Sequence, residues 1–449
     1  MITPSVEIVA LLATFATAMT MPTFAKATSL LYGAILAPGK RTVSAVLQVL
    51  GLADQDGYGK YHRVLSRDRW SPWVMSQLLL TILIQAFLED GAPLVLLLDE
   101  TLERRRGDRI RNVGCFRDGA RSSVAHLVTS FGIRWMVLAA LMPVPWSKRP
   151  WALPFLAVPV RSKKVNAALG RPHRTLTDWA QRLITKVRRW QPQRRIVLVA
   201  DRTYASVALV QCCQQLNEPV TFISSLRIDA GLYDPPVRTS HRGPPPQKGP
   251  HQPSLAARLI DPATAWQSLC LDWYGGTKKT VQVLAGQSLW SRSGHHPVPI
   301  GWVLVRCPSD PHFKPGAFFC SDPALGPTDL LGLYLLRWNI EVTFAEVRAH
   351  LGMETQRQWS DRAIERTTPC LFGLFSLVTV LAHLIHPHTL PVHASAWYAK
   401  TDATFTDALA CVRTHLWQHV QFDSSNSPDL LCNIPRPFLE RLISVACLA

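Results

Sequence analysis

Two aliphatic runs, each closed by a single acid, stand out in the first half of the chain: "PLVLLLDE" ending at Asp99–Glu100 and "RRIVLVAD" ending at Asp201. Short continuous apolar runs of this kind predict buried central strands. "HLVTSFGIRWMVLAALMPV" (126–144) predicts the next two strands, turning near Gly132, and "VTFISSL" (220–226) another strand. Between them "TLTDWAQRLITKVRRW" (175–190) has helical spacing with Thr175 or Thr177 placed to cap it, and a second helix runs to Gln215. Residues 1–90 read as helical, with "RTVSAVLQVLGLADQDGYGKYHRVLSRDRW" fitting two short helices around a Gly-containing turn. That segment is either a small DNA-binding element or a helical cap on its neighbour.

After residue 228 the composition shifts. "YDPPVRTSHRGPPPQKGPHQP" predicts an extended loop. "TVQVLAGQSLW", "IGWVLVRC" and "GAFFCSD" then predict strands separated by turn clusters. From residue 361 the pattern is helical, with an irregular proline-rich tail expected from Ser424. The expected fold class is therefore α/β, a mixed sheet flanked by helices with a β-rich insertion and helical N- and C-terminal regions. The expected boundaries are 1–90, 91–228, 229–326, 327–360 and 361–449.

One helical segment carries two patterns at once. Leu333, Leu336, Ile340, Phe344, Val347 and Leu351 form an apolar stripe with gaps of three or four. With Tyr334 set at zero on an uninterrupted helix, Arg337, Glu341 and Arg348 fall at roughly −60°, −20° and −40°, a narrow wedge beside that stripe. Arg337 and Glu341 are also an i, i+4 pair, which could equally be a surface salt bridge.

Charge sharpens this picture. The 449 residues carry a formal net charge of +17. Residues 101–200 hold 21 lysines and arginines against Glu103, Asp108, Asp118 and Asp178, so this block accounts for the whole excess. Such a concentration suits a polyanion partner, nucleic acid above all, although a solubilising face would also produce it. The ten cysteines show no CxxC spacing and His295–His296 and His386/His388 lack companion ligands, so no zinc site is expected. Glu7 and the absence of Lys or Arg before Lys26 argue against a secretory signal. "PCLFGLFSLVTVLAHLI" (369–385) reads as a buried core helix, so no membrane partner is expected and the cytoplasm is the expected location.

Asp99 and Asp201 end central strands, where functional groups collect in open α/β sheets, and Glu341 on the helix adds a third carboxylate. Strand alternation points Glu100 away from Asp99. Three acids of this kind suit two hard Mg²⁺ ions, and flanking arginines suit phosphate oxygens. Asp99, Asp201 and Glu341 in this order, with Tyr-x2-Arg-x3-Glu-x6-Arg around the last, resemble a DDE transposase of the bacterial insertion-sequence type. The resembled superfamily is the cut-and-paste one whose signature is Tyr-x2-Arg-x3-Glu-x6-Lys. "LLLDETLERRRG", "RDGARSS" and "PVPW" add to the likeness, and Arg348 stands where that family has lysine.

The resemblance implies a ribonuclease H-like core and an enzyme that cleaves element ends and joins the 3′-hydroxyl to target DNA. It further implies Asp99, Asp201 and Glu341 as ligands of two Mg²⁺ ions, with Mn²⁺ substituting. Tyr334, Arg337, Arg348 and the loop arginines Arg104, Arg105 and Arg106 would contact DNA. In relatives that pass through a hairpin an aromatic of the insertion stacks on a flipped base. Trp290 and Trp302 are the candidates for that role, or are core. The implied partners are double-stranded DNA, at terminal repeats and target, and a second copy of the chain, in a bacterial cytoplasm at the nucleoid. A DNA-binding descendant without catalysis, or a purely hydrolytic nuclease of the same fold, would share these features.

Overall fold

The computed structural model describes residues 4–119, 121–123, 125–237, 245–396, 399–419 and 434–448. Five helices come first: α1 (Val6–Ala13), α2 (Met21–Leu36), α3 (Val43–Val49), α4 (Gly59–Ser66) and α5 (Pro72–Phe87). Strands β1 (Leu94–Arg104), β2 (Gly114–Arg117), β3 (Thr129–Met142) and β4 (Trp151–Val160) follow. Helices α6 (Lys163–Ala168) and α7 (Leu176–Trp190) precede β5 (Ile196–Ala200), α8 (Val207–Gln214) and β6 (Thr221–Leu226). Next come β7 (Leu232–Tyr233), α9 (Leu255–Ile260), β8 (Gln267–Asp272), β9 (Lys278–Trp290), β10 (Val298–Arg306) and β11 (Gly316–Cys320). The chain ends in α10 (Pro327–Leu335), α11 (Trp338–His350), α12 (Asp361–Ile385), α13 (Phe405–Gln418) and α14 (Arg436–Leu448). The fold is mixed α/β, as the alternation of patterns predicts.

The chain divides into two compact units, and β1 and α11 each pass from one to the other. One unit holds residues 90–99 and 173–341. In it the first half of β1 pairs parallel with β5, and β5 parallel with β6. The strands expected as an insertion continue this sheet. Antiparallel pairing carries it from β6 to β11, β10 and β9, with β7 and β8 both on β9. Phe222, Phe319 and Trp290 close the interior, Phe222 and Trp290 lying 5.4 and 5.2 Å from Phe319. Helix α7 begins with the predicted Thr175 cap, completed as a capping box by Asp178.

The other unit holds residues 1–89, 100–172 and 342–449. Its strands β2, β3 and β4 pair antiparallel in chain order, and Arg105 N donates to Phe131 O (3.2 Å) beside the end of β1. The two strands expected to turn near Gly132 are one, β3, which runs straight through it; the glycine serves close approach instead, because a Cβ there would lie 2.3 Å from Glu103 O. Helices α3 and α4 form as expected around a turn in which Gly51 and Gly57 have positive φ. Val43, Leu47 and Tyr61 pack them together.

Helix α12 starts eight residues before Pro369, which lies inside it rather than at its head. The proline removes one helical hydrogen bond, a cost offset by burial of Leu371, Phe372, Phe375, Val378 and Leu381. By length and composition α12 could cross a membrane, but 67% of its most apolar window is buried inside the protein. The tail expected to be irregular is helical over α14, while its first part lies outside the described residues, as does 238–244 of the expected Pro/Gly loop. All described cysteines are free thiols.

Candidate functional site

The parallel register of β1 and β5 matches Leu98 with Ala200. The next residues are Asp99, inside β1, and Asp201, just past the end of β5, so the two acids follow directly on paired residues of strands that run about 4.8 Å apart. The strand end expected at Asp99 is corrected: β1 continues through it to Arg104. Asp99 is nearly enclosed, its side chain 12% exposed. Asp201 opens a 3₁₀ turn (Arg202–Tyr204) and accepts from Thr203 N (2.8 Å) and Thr203 Oγ1 (3.1 Å). Ser224 Oγ on β6 donates to the Asp201 carbonyl (2.7 Å), which fixes the strand end. Glu100 pairs instead with Arg134 (3.7 Å) in the other unit's part of β1.

Glu341 is tied to Asp99 through an arginine. Arg337 Nη1 donates to Asp99 Oδ2 (2.8 Å) and Nη2 to Glu341 Oε1 (2.9 Å). The side chain of Arg337 is only 13% exposed, so this is not the surface ladder that i, i+4 spacing alone would allow. Burial works against its charge, but Asp99, then Tyr334 and Glu341, more than compensate and raise its pKa above the ordinary arginine value. Its Nε is buried without a hydrogen-bond partner among the described residues.

The expected single helix through Tyr334 and Arg348 is broken between α10 and α11. Arg337 N bonds to Tyr334 O, Asn339 N to Leu336 O and Ile340 N to Arg337 O, a run of i→i−3 bonds, and Asn339 Nδ2 caps Leu336 O (3.0 Å). The wedge drawn for an uninterrupted helix therefore does not hold. Tyr334 is 8% exposed, with its ring 4.5 Å from Phe318. Arg348 belongs to the other unit, where it bonds Thr101 Oγ1, Leu102 O (3.2 Å) and Glu354 (3.4 Å).

The three loop arginines separate. Arg104 is bidentate to Asp118 (2.7 and 2.9 Å) and also pairs with Glu354 (3.2 Å). Arg105 is buried, pairs with Glu103 (3.4 Å) and donates to the carbonyls of Gln356 and Gln358. Only Arg106 of the three is exposed. Arg104 and Arg105 thus make ties within the protein, while Arg106 is open to solvent.

Trp290 and Trp302 are corrected too. They are 8% and 3% exposed, and Trp302 Nε1 donates to Ser288 Oγ (2.9 Å), so both rings belong to the core. The aromatic beside the acids is Tyr274, in a 3₁₀ turn between β8 and β9, 42% exposed and 6.0 Å from Trp338. Trp338, 48% exposed, directly follows Arg337. Burial raises the Tyr274 hydroxyl pKa, with Tyr334 adding and Arg337 opposing, which places Tyr274 against the same charges. The sequence signal for Tyr274 was an aromatic in a "WYGG" turn, where no core position exists to hold it.

The donor chemistry suits a hard divalent cation: three carboxylates, Asp99 and Asp201 following paired residues of neighbouring strands, and Glu341 linked to Asp99 by a shared counter-ion. Among the described residues no three acids, histidines or cysteines gather as a ready metal site. Arg337 bridges Asp99 and Glu341, and Asp201 faces its own turn, so a cation would take over contacts these groups now make elsewhere.

A family model described as DDE superfamily endonuclease matches residues 14–288. The matched span contains Asp99 and Asp201 and ends before Glu341. No characterised protein matches by sequence. Among solved structures the chain is similar to a piggyBac transposase synaptic complex with hairpin DNA, at 9% identity and a TM-score of 0.41, covering 95% of this chain and 78% of that one.

Proposed function

This chain belongs to the DDE superfamily endonucleases, and from that premise we propose that it is a transposase. In this reading it cuts double-stranded DNA at the ends of its element and joins the freed 3′-hydroxyl to target DNA. The observation that carries the reading is that Asp99 and Asp201 directly follow the paired residues Leu98 and Ala200, with Glu341 tied to Asp99 by one arginine.

Asp99, Asp201 and Glu341 would hold two Mg²⁺ ions, or Mn²⁺ in their place. Bound there, such ions supply nucleophile activation and stabilise the leaving oxygen of an in-line phosphoryl transfer. The chain's own residues do the rest. Ser224 and Thr203 hold the Asp201 turn in place, and the burial of Asp99 keeps its carboxylate out of bulk solvent. Exposed arginines of the 101–200 block, Arg106 and Arg109 among them, would bind the DNA backbone electrostatically. The protein would work as a homodimer, one copy per element end, at the bacterial nucleoid in the cytoplasm.

Tyr274 and Trp338 take the stacking role once expected of Trp290 and Trp302: two partly exposed rings in contact beside the acids. Stacking on one base contributes about 1–3 kcal/mol. Tyr274→Ala is therefore expected to weaken binding of pre-cleaved element ends by about tenfold. Affinity for uncleaved duplex should change little. Fluorescence anisotropy on the two substrates makes the comparison, and equal losses on both would remove Tyr274 from the stacking role.

Recovery of joined products tests the function as a whole. Incubating wild-type protein with Mg²⁺, element-end DNA and a plasmid target should yield end–target junctions detectable by sequencing. Cleaved ends without junctions would indicate a hydrolytic nuclease instead.

A further inference from the structure

Arg337 is oddly placed for a residue meant to grip phosphate. Its two terminal nitrogens are spent on Asp99 and Glu341, two of the three acids assigned to metal. Guanidinium presents two parallel donors and one delocalised charge, and here that charge sits where the acids converge. Without it, two partly buried carboxylates would face each other uncompensated. Yet the arrangement is not closed: Glu341 is 36% exposed on its side chain, and the buried Arg337 Nε lacks a partner among the described residues. A guanidinium that leaves one donor unmet is held less firmly than one whose fork is fully matched.

We propose that Arg337 is an exchangeable counter-ion: it holds Asp99 and Glu341 together in the metal-free protein and must be displaced from them when a divalent cation binds. The inference rests on the reading of Asp99 and Glu341 as metal ligands, and extends it to a residue that competes with the metal. Once displaced, the guanidinium is free to turn to the next available anion, a DNA phosphate. Metal loading and the phosphate grip are thereby linked through one side chain. Arg337 lies between α10 and α11, at a break bonded i→i−3, and so is not locked by a continuous helix. Arg337 is a positioning residue in this account.

The exchange is read without DNA and without turnover. Mn²⁺ binding to the full-length protein is titrated by the electron-paramagnetic signal of the free ion, for wild type, Arg337→Gln, Arg337→Lys and Arg337→Gln/Asp99→Asn. Removing a competitor held by charge-assisted hydrogen bonds should tighten Mn²⁺ binding by about tenfold in Arg337→Gln. Arg337→Lys, which can reach one acid at a time, should fall between, and the double variant should lose the gain. Thermal unfolding without metal should occur at a lower temperature in Arg337→Gln than in wild type, with Mn²⁺ restoring more of the midpoint in the variant.

Wild-type protein offers an independent readout. Modification of Arg337 by phenylglyoxal, mapped by peptide mass, should rise when Mn²⁺ is added. Equal Mn²⁺ affinity in wild type and Arg337→Gln, with Arg337 modification unchanged by Mn²⁺, would overturn the exchange. If Arg337→Gln/Asp99→Asn still lost binding in that case, the metal reading would stand alone. Absence of Mn²⁺ binding from every form would overturn both.

Discussion

Glu341→Gln is expected to lower Mg²⁺-dependent DNA cleavage by about a thousandfold, roughly 4 kcal/mol of transition-state stabilisation at 1.36 kcal/mol per decade. DNA affinity should remain close to wild type. The substitution keeps the shape and an acceptor oxygen for Arg337 Nη2, so the i, i+4 contact survives as a neutral hydrogen bond. Arg337 also keeps its charged partner Asp99, so folding should be little affected. What disappears is one negative charge from the carboxylate set. Glu341 lies beyond the residues 14–288 that define the family match, which makes this variant the decisive one for the third acid. Cleavage by Glu341→Gln at near wild-type rate would remove Glu341 from the catalytic set.

The second large effect concerns stability. Arg105→Ala is expected to lose about 3–5 kcal/mol, because it leaves the Glu103 carboxylate buried without its counter-charge. Glu103 is fully buried, and Trp135 Nε1 (2.7 Å) and Thr368 Oγ1 (2.8 Å) also donate to it. Burial already raises its pKa, with Arg105 the main opposing influence. Without Arg105 the native state holds the Glu103 proton more tightly still, and more tightly than the unfolded chain does. Stability then falls as pH rises above the ordinary carboxylate value, so the loss should be smaller at pH 5 than at pH 8. Urea unfolding at the two pH values measures it. Arg106→Ala next door should stay within about 0.5 kcal/mol of wild type and instead reduce the salt dependence of DNA binding by about one unit of slope. An Arg105→Ala protein as stable as wild type but weakened in DNA binding would reverse these assignments.

That triplet also shows where reading the sequence stops. "ERRRG" gives three identical side chains, but Arg105 is set apart by Glu103 two residues back and by carbonyls some 250 residues on, which no local pattern carries. The strands were legible because β1 and β5 are enclosed and so uniformly aliphatic up to their acids. Asp201 was legible for the same reason, since its aliphatic run and its strand end together, whereas at Asp99 the aliphatic run ends but β1 continues to Arg104. The Arg337–Asp99 bond spans 238 residues and was not legible, since the nearer Glu341 already accounted for the arginine. The break at Leu336–Arg337 escaped because apolar periodicity continues through it, while Asn339 turning back on Leu336 is a contact rather than a propensity. Trp290 and Trp302 alternate like their strand neighbours, a pattern that fixes which face a ring takes and not whether that face is covered.

The most direct test uses DNA carrying the gene's own flanking sequences, incubated with purified wild type and Asp201→Asn in Mg²⁺ or EDTA. Asp201 suits this because, among the described residues, its side-chain hydrogen bonds stay within its own turn, to Thr203. The account predicts nicks at the flanks with wild type in Mg²⁺, none in EDTA, and none with Asp201→Asn in either. Folded wild type that binds the same DNA tightly yet leaves it intact, with Mn²⁺ as well as Mg²⁺, would contradict the catalytic reading.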